Sequence, residues 1–278
     1  MHKPIAQILK AGLFTTIQGS PSFELVEFGV PLTGPMDSYS AQKANKLVGN
    51  PLQSPLLELT LTGPQIKFLR DCKIALCGAH FECFLDEKLI YTNELIEIPK
   101  GSVLSFGTCI AGCRAYLAFE GGLLKSINTN FIPGQLIKGD LLLAAPVTTS
   151  SLEKIKSIPL EETVMDKNEI IVQAGPDIGL FDSELMQQLK KISFRVDAVS
   201  NRMAYVLHGA DIDFFPDSFI SSPTLPGTIQ LTPSGQLNVL MRDCQTVGGY
   251  PRIGILDEDM MNCLAQKKPG DDVRLIWN

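Results

Sequence analysis

Short apolar or alternating runs, cut by glycine and proline, recur along the whole chain. In the first half they are Phe14 to Gln18, Leu56 to Thr62, Lys73 to Cys77, Leu95 to Ile98, Val103 to Phe106 and Arg114 to Phe119. In the second they are Ile170 to Gln173, Phe194 to Val199, Thr228 to Leu231, Leu237 to Met241 and Val273 to Trp277. Their length and their β-branched and aromatic content predict strands, and their near-regular spacing predicts a β-rich barrel or sandwich. Helical signals are confined to three places. Asp37 can cap a helix that runs through Leu47 and stops at Gly49; Phe181, Leu185 and Leu189 repeat every four residues; Asp257 opens a segment carrying Met260, Met261 and Leu264. The fold expected is therefore mainly β, with a few short helices.

The two halves share landmarks in the same order. Ala44-Asn45-Lys46-Leu47 and then Gly63-Pro64-Gln65-Ile66-Lys67-Phe68 match Ser200-Asn201-Arg202-Met203 and then Gly209-Ala210-Asp211-Ile212-Asp213-Phe214. Leu85-Asp86-Glu87 matches Leu256-Asp257-Glu258 in the same way. A repeated order suggests one duplicated unit. Two domains are expected, over 1–150 and 165–278, joined in Pro146 to Asn168, where Thr, Ser, Lys and Glu displace the apolar pattern.

Composition narrows the partners. A formal charge of −6 and a pI near 5.2 oppose binding to a phosphate backbone, so no nucleic-acid partner is expected. Met1 to Phe14 is interrupted by Lys3, Pro4, Gln7 and Lys10, unlike a signal peptide, and the longest apolar run, Leu141 to Val147, is far short of the roughly 20 residues of a membrane span. A cytoplasmic protein without a membrane partner is expected. The seven cysteines, at 72, 77, 83, 109, 113, 244 and 263, contain no Cys-x-x-Cys pair, and Cys72, Cys77 and Cys83 are not spaced like a zinc knuckle. They are expected to be small buried residues, with no metal site.

One stretch has the composition of a site. Met241-Arg242-Asp243-Cys244-Gln245-Thr246-Val247-Gly248-Gly249-Tyr250-Pro251 follows a strand and ends in paired glycines. Such a loop lets a ligand approach the backbone closely; equally, it serves as a hairpin connection in which Gly248 and Gly249 supply positive φ.

The motifs together resemble the biotin-dependent carboxyltransferase-like family, whose members carry the labels allophanate hydrolase subunit 2, KipI antagonist and 5-oxoprolinase C subunit. The resemblance rests on Phe14 to Gln18, Gly29-Val30-Pro31 with Gly34-Pro35-Met36-Asp37, Ala44-Asn45 with Leu47-Val48-Gly49-Asn50, and Arg114 to Ala118 before Gly121-Gly122. It continues through Gly175-Pro176-Asp177, Ser200 to Met203 and Gln245 to Pro251, nearly end to end. It implies two cyclophilin-like β-barrel domains. It also implies an ATP-dependent bacterial 5-oxoprolinase complex that hydrolyses 5-oxoproline to glutamate, in which this chain works with two other proteins, the A subunit and a KipI-like B subunit. Two family motifs are absent: Gly19-Ser20-Pro21-Ser22 replaces an Asp-x-Gly-Arg turn, and Asn128-Thr129-Asn130-Phe131 stands where a Gly-Ser-Arg-Ser-Thr loop is usual.

A small acidic amide substrate needs donors for its carboxylate and carbonyl and an acceptor for its N–H. Asn201, Arg202, Arg242, Thr246, Tyr250 and the Gly248 and Gly249 amides are the binding candidates, and Asp243 and Gln245 the catalytic ones. The competing reading keeps Asn201 as a turn residue and Arg202 in a structural ion pair. Asp37 and Asp177 read as helix caps, and His2, His80 and His208 form no Ser-His-Asp order. Gly121-Gly122 lacks the lysine and hydroxyl residue of a phosphate loop, so ATP is expected to serve the complex without binding this chain. Two alternatives are a regulatory protein that sequesters a KipI-like kinase inhibitor, and a carboxyltransferase-type subunit acting on a urea or amide substrate. Biotin would then arrive on another protein, since no Met-Lys-Met attachment motif is present. The second domain is expected to hold the ligand and the first to serve as scaffold or docking half.

Overall fold

The computed structural model describes residues 3–21, 26–29, 31–124, 134–145, 168–209 and 219–278. The chain divides into two units, Met1–Ser20 with Asp37–Thr163, and Pro21–Met36 with Val164–Asn278. The division near 164 falls in the polar stretch, most of which lies outside the described residues. Contiguous domains over 1–150 and 165–278 omit one feature: Pro21–Met36 belongs with the second unit.

The first unit is a nine-stranded sheet. Its strands are β1 (Pro4–Lys10), β2 (Phe14–Gln18), β3 (Leu56–Thr60), β4 (Gln65–Phe68), β5 (Cys72–Leu85), β6 (Lys88–Ile90), β7 (Leu95–Ile98), β8 (Val103–Phe119) and β9 (Leu141–Leu143). The order is β2-β3-β8-β4-β1-β9, with β5 pairing β6, β7 and β8. The runs Val103 to Phe106 and Arg114 to Phe119, separate by sequence, are one strand here. Gly107 between them is an approach point and not a break: a Cβ there would lie 3.0 Å from Glu82 Oε2. Register shifts between Gly78 and Cys83 let β5 bend along the same partner.

This sheet is covered on both faces, which is why its strands read as apolar runs more than as clean alternation. One face packs Ile66, Phe68, Leu76, Phe81, Leu117 and Phe119. The other takes α1 (Ser38–Leu47), whose Ala41, Ala44 and Leu47 meet Leu56, Cys77 and Tyr116. The cap is as expected. Asp37 accepts from Ser40 N at 3.0 Å and from Ser40 Oγ at 2.6 Å, while its own N–H donates to Tyr116 Oη at 2.7 Å.

The second unit is a closed barrel, ordered β10-β17-β14-β15-β12-β11-β18. Its strands are β10 (Glu169–Ala174), β11 (Ser193–Val196), β12 (Ala204–His208), β14 (Thr228–Leu231), β15 (Leu237–Leu240), β17 (Arg252–Ile255) and β18 (Asp272–Trp277). A short ribbon of β13 (Ser222–Pro223) and β16 (Val247–Gly248) stands beside it. The parallel pairing of β10 with β18 closes the circle. Two helices, α2 (Ser183–Lys191) and α3 (Glu258–Ala265), place Leu185, Leu189, Met260, Met261 and Leu264 in the barrel core, with Asp182 and Asp257 as caps. Pro21–Met36 adds Met36, fully buried in the same core. Its backbone is held through Thr33 N donating to Arg242 O at 3.1 Å.

The fold is mainly β, as expected, but two of the shared landmarks do not mark equivalent places, and the third, the match to Gly209 to Phe214, lies outside the described residues beyond Gly209. Ala44 to Leu47 is helical whereas Ser200 to Met203 is a turn before β12. Asp86 and Glu87 form a tight turn with φ of 48° and 65°, whereas Asp257 caps α3. Short polar strings recur because caps and turns draw on the same residues.

Candidate functional site

The Met241 loop leaves β15 beside the turn that precedes β12. Met241 N donates to Met203 O and Asp243 N to Arg202 O, both at 2.9 Å, so the two segments are laced together. Arg202 then meets Asp243 with one edge of its guanidinium, Nε to Oδ2 at 2.7 Å and Nη2 to Oδ1 at 2.9 Å, and Nη2 also donates to Gly34 O at 2.7 Å. The pair is largely buried, with side chains 8% and 16% exposed. Arg242 makes a second bidentate pair, with Glu258 on the first turn of α3, at 3.0 and 2.5 Å. Asn201 accepts from Met203 N at 2.7 Å and donates to Val199 O at 3.1 Å, which makes it a turn residue. The polar groups of Asn201, Arg202 and Asp243 and the terminal nitrogens of Arg242 are thus directed at protein partners, whereas Arg242 Nε is buried with no hydrogen-bond partner among the described residues. For Arg202 the arrangement is the structural ion pair.

The rest of the loop forms a wall. Thr224 donates from Oγ1 to Gln245 O at 2.5 Å and from its backbone N to Thr246 O at 3.0 Å, and Gly248 pairs with Ser222 across the ribbon. Neither Gly248 nor Gly249 is a positive-φ glycine. Their smallness is used for contact: a Cβ on Gly248 would lie 2.5 Å from Gln230 Nε2, and one on Gly249 would lie 3.3 Å from Ser221 Oγ. Tyr250 follows, 39% exposed, with its carbonyl accepting from Gln230 Nε2 at 3.4 Å.

Beside β13 lies a cleft of about 520 Å³, lined by Asp177, Leu180, Phe219, Ile220, Ser222 and Arg252 among others. The side chain of Asp177, expected as a helix cap, makes no capping hydrogen bond. Instead it accepts from Arg252 N at 2.9 Å, Nε at 2.8 Å and Nη2 at 3.4 Å. Arg252 is absent from the residues that sequence reasoning selects. A signal for it exists, since it directly follows the Tyr-Pro that ends the loop.

Burial pushes the Asp177 carboxyl up, but the side-chain and backbone hydrogen bonds from Arg252 outweigh it and hold its pKa below the ordinary value. A lowered folded-state pKa means that this contribution to stability is complete above the unfolded value and is lost as pH falls through the lowered one. The stability difference between wild type and Asp177→Asn is therefore expected to stay constant from neutral pH down to about 5 and to shrink below about 4. Urea unfolding across that range checks it; a difference that grows on acidification contradicts the assignment.

Other chemistry is sparse. His208 Nε2 lies 2.6 Å from Asp197 Oδ2 and its Nδ1 lies 3.4 Å from Gln236 Nε2, with no hydroxyl nucleophile completing a triad among the described contacts. Burial pushes the thiols of Cys72, Cys77 and Cys83 up to about 12 and that of Cys244 to about 11, so they are neutral, weakly reactive thiols near pH 7. Among the described residues no group of His, Cys, Asp and Glu is arranged to hold a metal ion. No helix among them is long and apolar enough to cross a membrane. A second cleft of about 490 Å³, in the first unit, is lined by Asp71, Glu97, Glu120 and Lys73, and Lys73 is paired to Glu120 at 3.1 Å.

The carboxyltransferase domain family, subdomain A and B, matches residues 28–277. The chain belongs to that family. It is 31% identical to the C subunit of the 5-oxoprolinase of Escherichia coli, over 97% of this chain and 90% of that one. It is 41% identical to a putative urea carboxylase of Emericella nidulans, over 96% of this chain but 24% of that protein. The solved urea amidolyase of Kluyveromyces lactis superposes with a TM-score of 0.86 at 27% identity, covering 99% of this carboxyltransferase-family chain and 19% of the amidolyase. The chain thus spans less than a quarter of either fungal protein.

Proposed function

We propose that the chain is the C subunit of a 5-oxoprolinase, acting in the cytoplasm with the A subunit and a KipI-like B subunit in the ATP-dependent hydrolysis of 5-oxoproline to glutamate. The observation that carries this reading is the two-sided coverage: the likeness to the bacterial C subunit takes in 90% of that protein. In this reading the Arg202–Asp243 and Arg242–Glu258 pairs hold the loop in shape, and Gln245 to Tyr250, with Thr246 and the paired glycines, contact the ligand. ATP is handled by another protein of the complex, and this chain binds no cofactor itself.

Reconstitution tests the proposal. With the A and B subunits supplied, 5-oxoproline-dependent ATP hydrolysis is expected to fall to background when this chain is left out. An unchanged rate on omission rejects it. The 41% identity to a putative urea carboxylase favours a second reading, a carboxyltransferase-type subunit acting on a urea or amide substrate. That reading predicts carboxyl transfer from a biotinylated carrier protein in the absence of the other two subunits.

A further inference from the structure

We propose that residues 31–36 couple the Met241 loop to helix α1, so that the arginine contacts of the loop set how readily the first turn of α1 opens. This coupling is a property of the chain alone, whatever complex it serves.

Two consecutive residues are committed to different units. Met36 belongs to the second, where its side chain is fully buried in the barrel core, and Asp37 belongs to the first, where it caps α1. Their Cα atoms are about 3.8 Å apart across a trans peptide, so neither moves far without the other. Asp37 is held through three of its groups. Its N–H donates to the Tyr116 hydroxyl at 2.7 Å, its carboxylate accepts from Ser40 N and Oγ, and its carbonyl accepts from Ala41 N at 3.3 Å. Tyr116 is fully buried on β8, in the close-packed cluster that α1 covers, so the hydroxyl cannot follow a displaced Asp37.

The loop fixes the same segment from its other end. Thr33 N donates to Arg242 O, and Gly34 O accepts from Arg202 Nη2. Both arginines are themselves held, by Glu258 and Asp243. Pro35 stands between these anchors and Met36; its ring fixes its own φ and restricts the residue before it, so the link transmits a displacement instead of absorbing it. Thr33 has a φ of 57°, a conformation that threonine keeps only under external support. Release of the two anchors lets Thr33 relax and turns the chain three residues before Met36. A lone methionine is flexible and unbranched, a modest anchor in a core, so it then leaves the barrel more often and takes Asp37 away from Tyr116. The segment therefore has a held and a released state, and both ends bias the balance between them.

Hydrogen exchange of the full chain, resolved to single amides, tests the coupling. Arg202→Met/Asp243→Leu removes the donor to Gly34 O without stranding a charge. In it the Ser40 and Ala41 amides, in the first turn of α1, are expected to lose about tenfold in protection relative to the Leu117 amide in the middle of β8. Arg274→Met, which breaks an exposed pair on the same barrel, is expected to leave that ratio as in wild type. Coupling between two sites is reciprocal, so the reverse change has to travel back. Tyr116→Phe removes the acceptor of the Asp37 N–H, and the Thr33 amide is then expected to lose protection relative to the Val239 amide of β15. This second variant, in the other unit, carries the test by itself if the double variant does not fold. A Ser40 and Ala41 ratio unchanged by loss of Arg202, or a Thr33 ratio unchanged in Tyr116→Phe, overturns the proposal.

Discussion

Arg202→Met is expected to destabilise the second unit by about 3 kcal/mol, and Arg202→Met with Asp243→Leu to recover most of that loss. Asp243 is only 16% exposed at its side chain, and Arg202 satisfies both of its oxygens. Removing the arginine leaves a carboxylate with little water to replace the bidentate contact, whereas removing both charges leaves two apolar side chains in a largely dry setting. The effect should exceed that of an ordinary ion pair for a second reason. Arg202 also donates to Gly34 O, so its loss loosens Pro21–Met36, which carries the buried Met36. Thr33 and Gly34 sit there at φ of 57° and 102°, a backbone shape that needs external support in the case of threonine. The chain's single tryptophan, Trp277, lies on β18 and reports on this unit, so its fluorescence in urea is the measurement. Arg274→Met, whose pair with Glu169 is exposed on both sides, should leave the midpoint in place. A double variant as unstable as the single one would show that the contact to Gly34, and not the stranded charge, dominates.

That same set of residues shows where sequence reasoning reaches its limit. The three helices were legible because their signals are local: a cap such as Asp37 or Asp257 acts on a backbone N–H three residues away. The strands were legible as apolar runs, although β5 and β8 were each seen only in part, because glycine marks a close approach as readily as a turn. Non-local facts were not legible. Arg202 and Gly34 are 168 residues apart, and nothing in a strand pattern predicts that Pro21–Met36 joins the second unit. The site was half legible for a related reason. Composition picked out a loop of which no residue lines the cleft, and whether an arginine faces a ligand or a carboxylate depends on which partner the fold brings beside it. Arg202 and Arg242 meet Asp243 and Glu258, and Arg252, one residue beyond the loop, meets Asp177, 75 residues away in sequence.

Gly175→Ala is expected to be the most damaging single-methyl change in the barrel of the second unit, at about 3 kcal/mol or more, and to abolish the Asp177–Arg252 geometry with it. A Cβ on Gly175 would lie 2.3 Å from Arg252 O, 2.6 Å from Gly254 N and 2.7 Å from Ile253 C. All three are backbone atoms of β17, so no side chain can swing aside. Relief requires β10 to move off β17, and that seam is thin: its registered pairs are Gln173 with Ile255 and Ala174 with Gly254. Gly175 N donates to Ile253 O at 2.9 Å and Asp177 N to Arg252 O at 3.1 Å, so the displacement would carry Asp177 away from the guanidinium it positions. Gly179 is the control. It lines the same cleft, yet a Cβ there would meet nothing within 4 Å, so Gly179→Ala should fold with an unchanged urea midpoint. If the two alanine variants unfold together, β10 has more freedom at this seam than the packing of Gly175 allows, and the close approach is not what closes the barrel. If they separate as expected, the Gly-Pro-Asp stretch after β10 has a single physical role: the glycine lets two strands meet, and the aspartate, carried to the right place by that meeting, aligns Arg252 across the cleft.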